Sequence, residues 1–183
     1  MAPPAPPDLP PVGPELTLSL RGSAALRLDA GSAVELDLSG TIRMTVEERL
    51  RYGPAGVRLR ISGVDLAAAS DVLGTVRMSL ADDDVAMLSR VELAGDPPLL
   101  RHVMAFEVTL TIERPPAVAG PLDLTSAQPP TLVCVGLERF PPRRAASYEL
   151  QRPVELTPEG ALDEVVGELL ALSLTSNRAR GPG

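Results

Sequence analysis

The stretch Val34-Glu35-Leu36-Asp37-Leu38-Ser39-Gly40-Thr41-Ile42-Arg43-Met44-Thr45-Val46 decides the fold. Its apolar residues, Val34, Leu36, Leu38, Ile42, Met44 and Val46, all fall at even numbers, with polar residues between them. A strand sends successive side chains to opposite faces, so this order predicts a ribbon with one aliphatic face and one solvated face. A helix would need a period near 3.6 to gather the same residues on one side. At roughly 3.3 Å per residue the stretch spans about 43 Å, and Gly40 at its centre is where a bend or bulge is expected.

The same period extends in both directions. Towards the N-terminus, Leu16, Leu18, Leu20, Ala24, Leu26 and Leu28 alternate, with Gly22-Ser23 as a break or kink. Towards the C-terminus, Tyr52-Gly53-Pro54-Ala55-Gly56 is turn chemistry. Val57, Leu59 and Ile61 follow, and the phase then shifts at Gly63 to Val64 and Leu66, the mark of a bulge. Further strands are predicted around Leu73–Leu80, Val85–Leu93 and Met104–Ile112. Leu132–Leu137 is apolar throughout, as in a strand covered on both faces. Tyr148–Leu156 reads as an edge strand, because Pro153 cannot donate to a ladder. One helix is expected: Thr157-Pro158-Glu159 offers a cap, a first-turn proline and an early acid, and Leu162, Val165, Val166, Leu169 and Leu170 fall on one helical face, although Gly167 weakens it and Leu170–Leu174 reads equally as a strand.

Many short alternating segments with Gly/Pro turns, and no helices between them, define an all-β class: an antiparallel β-sandwich or barrel-like domain with a short C-terminal helix. Residues 15–174 form a single domain of this kind. Seven of the 20 prolines lie in the first 14 residues, so 1–14 is expected to be a Pro-rich disordered tail, and 175–183 a flexible C-terminal tail.

Composition removes several functions. The chain has 183 residues, a net charge of −7, 2% aromatics and 17 basic residues, every one of them Arg. Nucleic-acid binding needs clustered positive charge and stacking surfaces, so no nucleic acid is expected as a partner. No stretch reaches the roughly 18 apolar residues of a membrane span. A single cysteine, Cys134, cannot form an internal disulfide and fits a reducing compartment. With no secretory signal pattern at Met1–Pro14, a cytoplasmic location is the expectation.

Groups able to carry chemistry are few. His102 is the only histidine and could act as a general base. Tyr52, Glu107 and Tyr148 are the other catalytic candidates. Cys134, in Leu-Val-Cys-Val-Gly, reads as a small buried hydrophobe with a raised pKa rather than a nucleophile. Asp82, Asp83 and Asp84 are candidate calcium ligands, although the run lacks the spacing of an EF-hand loop and also reads as a charged hairpin turn. Arg43, Arg58, Arg60 and Arg77 share a solvated face with Glu35, Asp37 and Glu47, which predicts cross-strand ion pairs. No phosphate loop or dinucleotide fingerprint is present, so no cofactor is expected.

Leu38-Ser39-Gly40-Thr41, Gly63-Val64-Asp65-Leu66 and Leu73-Gly74-Thr75-Val76-Arg77-Met78-Ser79-Leu80 resemble a family of uncharacterised actinobacterial all-β proteins, over residues 30 to 175. The resemblance implies the fold class and carries no activity or site residue.

The function these features point to is a non-enzymatic cytoplasmic binding or assembly module. It would enclose an apolar small molecule such as a lipid, steroid or polyketide, or present sheet edges or faces to a protein partner or to a second copy in a homo-oligomer. The alternative is a barrel-type enzyme, a cyclase or isomerase, that shapes a reactive apolar substrate.

Overall fold

The computed structural model describes residues 7–29, 31–81, 89–116, 118–161 and 164–176. Twelve strands make up its regular structure: β1 Glu15–Leu28, β2 Val34–Arg49, β3 Gly56–Ser70, β4 Gly74–Leu80, β5 Arg90–Ala94, β6 Leu99–Ala105, β7 Val108–Ile112, β8 Leu122–Ser126, β9 Thr131–Leu137, β10 Ala146–Leu150, β11 Val154–Pro158 and β12 Gly167–Ser176. Every pairing is antiparallel, and β12 closes the sheet onto β1 through Leu20–Leu28.

The topology simplifies once the short strands are taken in pairs. β4 and β5 both pair with β3, at opposite ends of it. β6 faces β5 and β9, while β7 faces β4 and β8. β10 and β11 both lie along β12. Each such pair is one long path interrupted midway, so the chain runs as an up-and-down meander of eight paths closed into a barrel. Each of the twelve strands therefore has a hydrogen-bonded neighbour on both sides over part of its length, and among the described residues Glu15–Ser19 of β1 pair with β2 alone.

Glycines and a bulge allow the longest strands to coil around this barrel. A Cβ at Gly40 would lie 1.9 Å from the Asp65 carbonyl oxygen, and one at Gly22 would lie 1.8 Å from that of Ser173. The expected bulge at Gly63 is present. The register passes from Arg43↔Gly63 to Met44↔Ile61 and leaves Ser62 as the extra residue, which returns Val57, Leu59 and Ile61 to the same interior as Val64 and Leu66. At the β6–β7 interruption, serine hydroxyls satisfy backbone groups freed from the ladder. Ser89 Oγ accepts from the Ala105 N–H at 2.9 Å and donates to its carbonyl at 3.0 Å, and Ser126 Oγ accepts from the Val108 N–H at 3.1 Å.

The inward face is aliphatic. Leu18, Leu20, Leu26, Ile42, Met44, Leu59, Leu66 and Leu100 are almost wholly buried, and Met78 and Met104 join them. The outward face carries ion pairs. Arg58 Nε lies 3.0 Å and Arg60 Nε 2.7 Å from Glu47, and Arg27 is paired with Glu168. The cross-strand pairing expected for Arg58 and Arg60 is thus observed. This polarity, aliphatic within and charged without, is the reverse of a transmembrane barrel, whose outer band is apolar. No helix of the described residues is long and apolar enough to cross a membrane.

Before β1, the Gly13 N–H donates to the Val46 carbonyl at 2.8 Å, Pro10 is buried and Leu9 packs against the core.

Several local expectations are corrected. The short C-terminal helix is not seen among the described residues. Thr157 and Pro158 belong to β11, and the Thr157 hydroxyl donates to the Thr125 carbonyl instead of capping a helix. Gly167–Ser176 is a strand whose register against β1 shifts between Ala25 and Leu26, leaving Leu170 over. That extra residue puts Leu169 and Leu172 three apart on the same buried face and so imitates helical spacing. The apolar run of β9 is covered on one face only, since Val135 is 70% exposed while Leu132 and Cys134 are buried. Met104–Ile112 is split between β6 and β7, and Tyr148–Leu156 between β10 and β11, with Pro153 in the gap.

Candidate functional site

The barrel has two unlike ends. At one, the turns after β1, β3, β7 and β11 carry Asp29, Asp71, Glu113, Glu159 and Glu164 against Arg114. At the other, the connections after β2 and β9 carry Arg51, Arg139, Arg143 and Arg144. One end is thus acidic and the other arginine-rich.

Inside the arginine-rich half lies a polar cluster in an otherwise aliphatic wall. β6 turns His102 inward, and the register sets it opposite Cys134 on β9. Glu149↔Val133 pairing places Tyr148 on β10 next in the row. The Tyr148 hydroxyl and His102 Nδ1 are 3.1 Å apart, reaching past Cys134. Phe140, from the β9–β10 connection, meets the imidazole edge-on, with ring centroids 4.6 Å apart. His102 Nε2 is buried and has no partner among the described residues.

Burial governs the titration of all three groups. Desolvation lowers the His102 pKa from 6.5 to about 3, so the ring is neutral at pH 7. Desolvation also raises the Cys134 thiol to about 11 and pushes the Tyr148 phenol far above its ordinary value. Cys134 is therefore the buried, unreactive hydrophobe its surroundings predict.

Of the four catalytic candidates, the fold brings together His102 and Tyr148 and separates the others. Tyr52 is 90% exposed on the turn between β2 and β3. Glu107 stands at the β6–β7 interruption, where its backbone carbonyl accepts from the Ala81 N–H. The candidate calcium ligands Asp82, Asp83 and Asp84 lie outside the described residues. Among the described residues no group of three or more His, Cys, Asp or Glu side chains is placed to hold a metal ion. In the sequence, only its position before Pro141-Pro142 marks Phe140.

At the acidic end a recess of about 270 Å³ opens between three turns. Its wall is apolar, formed by Leu28, Leu122, Val118, Val166 and the prolines 115, 116 and 158, and Asp29 and Glu164 stand in its lining. Leu28, Leu122 and Val166 also pack against the barrel core, so the recess adjoins the interior. Val72 and Val165, at the same end, are more than half exposed. Apolar concavities of this kind, with a few polar groups, occur at the mouths of β-barrels that bind small molecules.

These features define a closed antiparallel barrel with a charged exterior, an aliphatic interior and an apolar mouth. No family model and no curated protein matches the chain. Among solved structures, the chain is similar to DynF from the dynemicin biosynthesis pathway of Micromonospora chersina, with a TM-score of 0.74 and 17% identity over 95% of this chain and 84% of that one. At that identity the likeness is one of fold.

Proposed function

We propose that the protein is a non-enzymatic binding barrel that takes an apolar small molecule, a lipid, steroid or polyketide, at its acidic mouth. The recess between the β1–β2, β7–β8 and β11–β12 turns carries this reading. Its volume of about 270 Å³ lies just under the usual range of roughly 300–1,000 Å³, which suits one ring system or one chain segment. Asp29 and Glu164 repel carboxylates, so the ligand is neutral or basic at that point. The inward side chains behind the recess are buried, and the deformable Met44, Met78 and Met104 are the ones suited to repack around a deeper-reaching ligand. A ligand from a biosynthetic pathway, as the source of DynF suggests, is compatible with this chemistry.

The competing readings fare less well. An enzyme would use His102 and Tyr148, yet both have no accessible surface, and an imidazole with a pKa of about 3 is a poor base at neutral pH. Association through sheet edges has little to use, because closure leaves only short one-sided stretches such as Glu15–Ser19 of β1 among the described residues. Face-to-face association with a protein partner or a second copy stays compatible with the fold.

The test is fluorescence titration with an environment-sensitive neutral steroid and its carboxylated analogue, on the parent and on Val118→Glu. Val118 is 51% exposed, so the substitution spares the core. The neutral probe should bind one per chain, tighter than its acid, and the variant should weaken it by about tenfold, the effect of ~1.4 kcal/mol. Equal binding to parent and variant would remove the recess from the account. Val72→Glu, at the same end but outside the recess, should leave the affinity unchanged.

A further inference from the structure

The connection between β9 and β10 forms a second concavity, at the opposite end of the barrel, with a volume of about 430 Å³. Leu137, Glu138, Arg139, Pro142, Arg143 and Arg144 line it. Elsewhere on the surface, some guanidinium groups are neutralised locally and others, Arg49, Arg51 and Arg77 among them, have no ion pair among the described residues, so the arginines of this connection are set apart by sharing one cleft. Arg27 is matched by Glu168, Arg58 and Arg60 by Glu47, and Arg90 and Arg101 by Glu92. Arg139, Arg143 and Arg144 have no hydrogen bond or ion pair among the described residues, and Glu138 is the single carboxylate lining the same cleft.

The loop that presents them is anchored. Leu137 and Phe140 are buried to within 7% and 5%, and Pro142 is buried between the arginines. Phe140 packs on the His102 ring, so the segment between Arg139 and Arg143 is pinned to the core. The pinned backbone thus brings three unpaired guanidiniums to the lining of one cleft. The planar fork of arginine matches the two oxygens of a carboxylate or phosphate.

We propose that this cleft binds a small organic anion through a carboxylate or phosphate group held by Arg139, Arg143 and Arg144. The volume exceeds what a bare ion fills and lies within the ordinary range for an organic ligand. This site is separate from the apolar mouth, so either can fail without the other.

The experiment is isothermal titration of the full chain at low ionic strength with inorganic phosphate, glucose 6-phosphate, citrate and neutral glucose. Either glucose 6-phosphate or citrate should bind saturably at one per chain, tighter than inorganic phosphate, and glucose should not bind. The arm that saturates identifies phosphate or carboxylate as the recognised group. Arg143→Gln/Arg144→Gln should weaken binding by about tenfold or more, and Arg143→Lys/Arg144→Lys, which keeps the charge but loses the fork, should fall between. Arg49→Gln/Arg51→Gln removes equal charge from the same end outside the cleft and should leave binding within about twofold. No saturable binding by any anion would overturn the proposal. So would equal loss in the two Gln pairs, which would mean diffuse attraction. Thermal unfolding of each variant establishes that the fold is intact.

Discussion

His102 is neutral because the barrel interior will not solvate a charge, and this links the residue to stability. Its pKa falls from 6.5 to about 3 on folding, so the unfolded chain takes up a proton that the native chain refuses. The contribution is fully present above pH 6.5 and is lost as pH falls from there towards 3. At pH 5 the loss is about 2 kcal/mol relative to pH 7. Urea unfolding at the two pH values should show it, and His102→Gln should abolish that part of the difference; an unchanged difference would refute the assignment. Tyr148→Phe leaves His102 Nδ1 without its partner and should cost roughly 1–3 kcal/mol at pH 7 in the same assay. Gly40 is equally constrained. Its Cβ would sit 1.9 Å from the Asp65 carbonyl oxygen, so Gly40→Ala should destabilise by roughly 1–3 kcal/mol, whereas Ala at Gly53, where nothing approaches, tests the cost of the positive φ alone. At this scale the sequence was partly legible. Cys134 in an apolar run announced a buried thiol, and the solitary His102 was an obvious candidate. Its pairing with Tyr148 was hidden, because 46 residues separate them and only the β6–β9–β10 register aligns them.

Single strands were legible wherever the period of two ran unbroken, as in β2, or broke at a glycine, as at Gly63 in β3. The misreading of β12 has a definite cause. Leu170 is an unpaired extra residue, and a bulge converts the spacing of two into a spacing of three that a helix also produces. The backbone decides between the two, because Leu169, Leu172 and Leu174 are needed to seal the barrel between β1, β10 and β11. Leu172→Ala should therefore behave as a central core truncation and cost about 2–5 kcal/mol by chemical denaturation. A loss below 1 kcal/mol would mean that this segment does not close the ring. The split of β6 from β7 escaped detection because Phe106 keeps the apolar alternation going through the interruption. Only the hydroxyls of Ser89 and Ser126, which occupy the freed backbone groups, reveal the break.

For the whole molecule, alternation along the chain implied an antiparallel all-β domain without choosing between sandwich and barrel. That choice depends on whether β12 meets β1, a contact between the two ends of the described chain that no local pattern encodes. Closure pairs most of the sheet edge, and the concavities described above lie at the two ends of the barrel. One end joins aliphatic turns to carboxylates, and the other pins arginines beside Phe140. The most direct measurement of the central claim is a methyl-resolved NMR titration of the isotopically labelled full chain with a neutral steroid or long-chain alcohol. Saturable shifts centred on Leu28, Val118, Leu122 and Val166, with the methyls around Arg143 and Arg144 undisturbed, are the predicted result. A spectrum that does not change, or shifts that avoid those four residues, would contradict it.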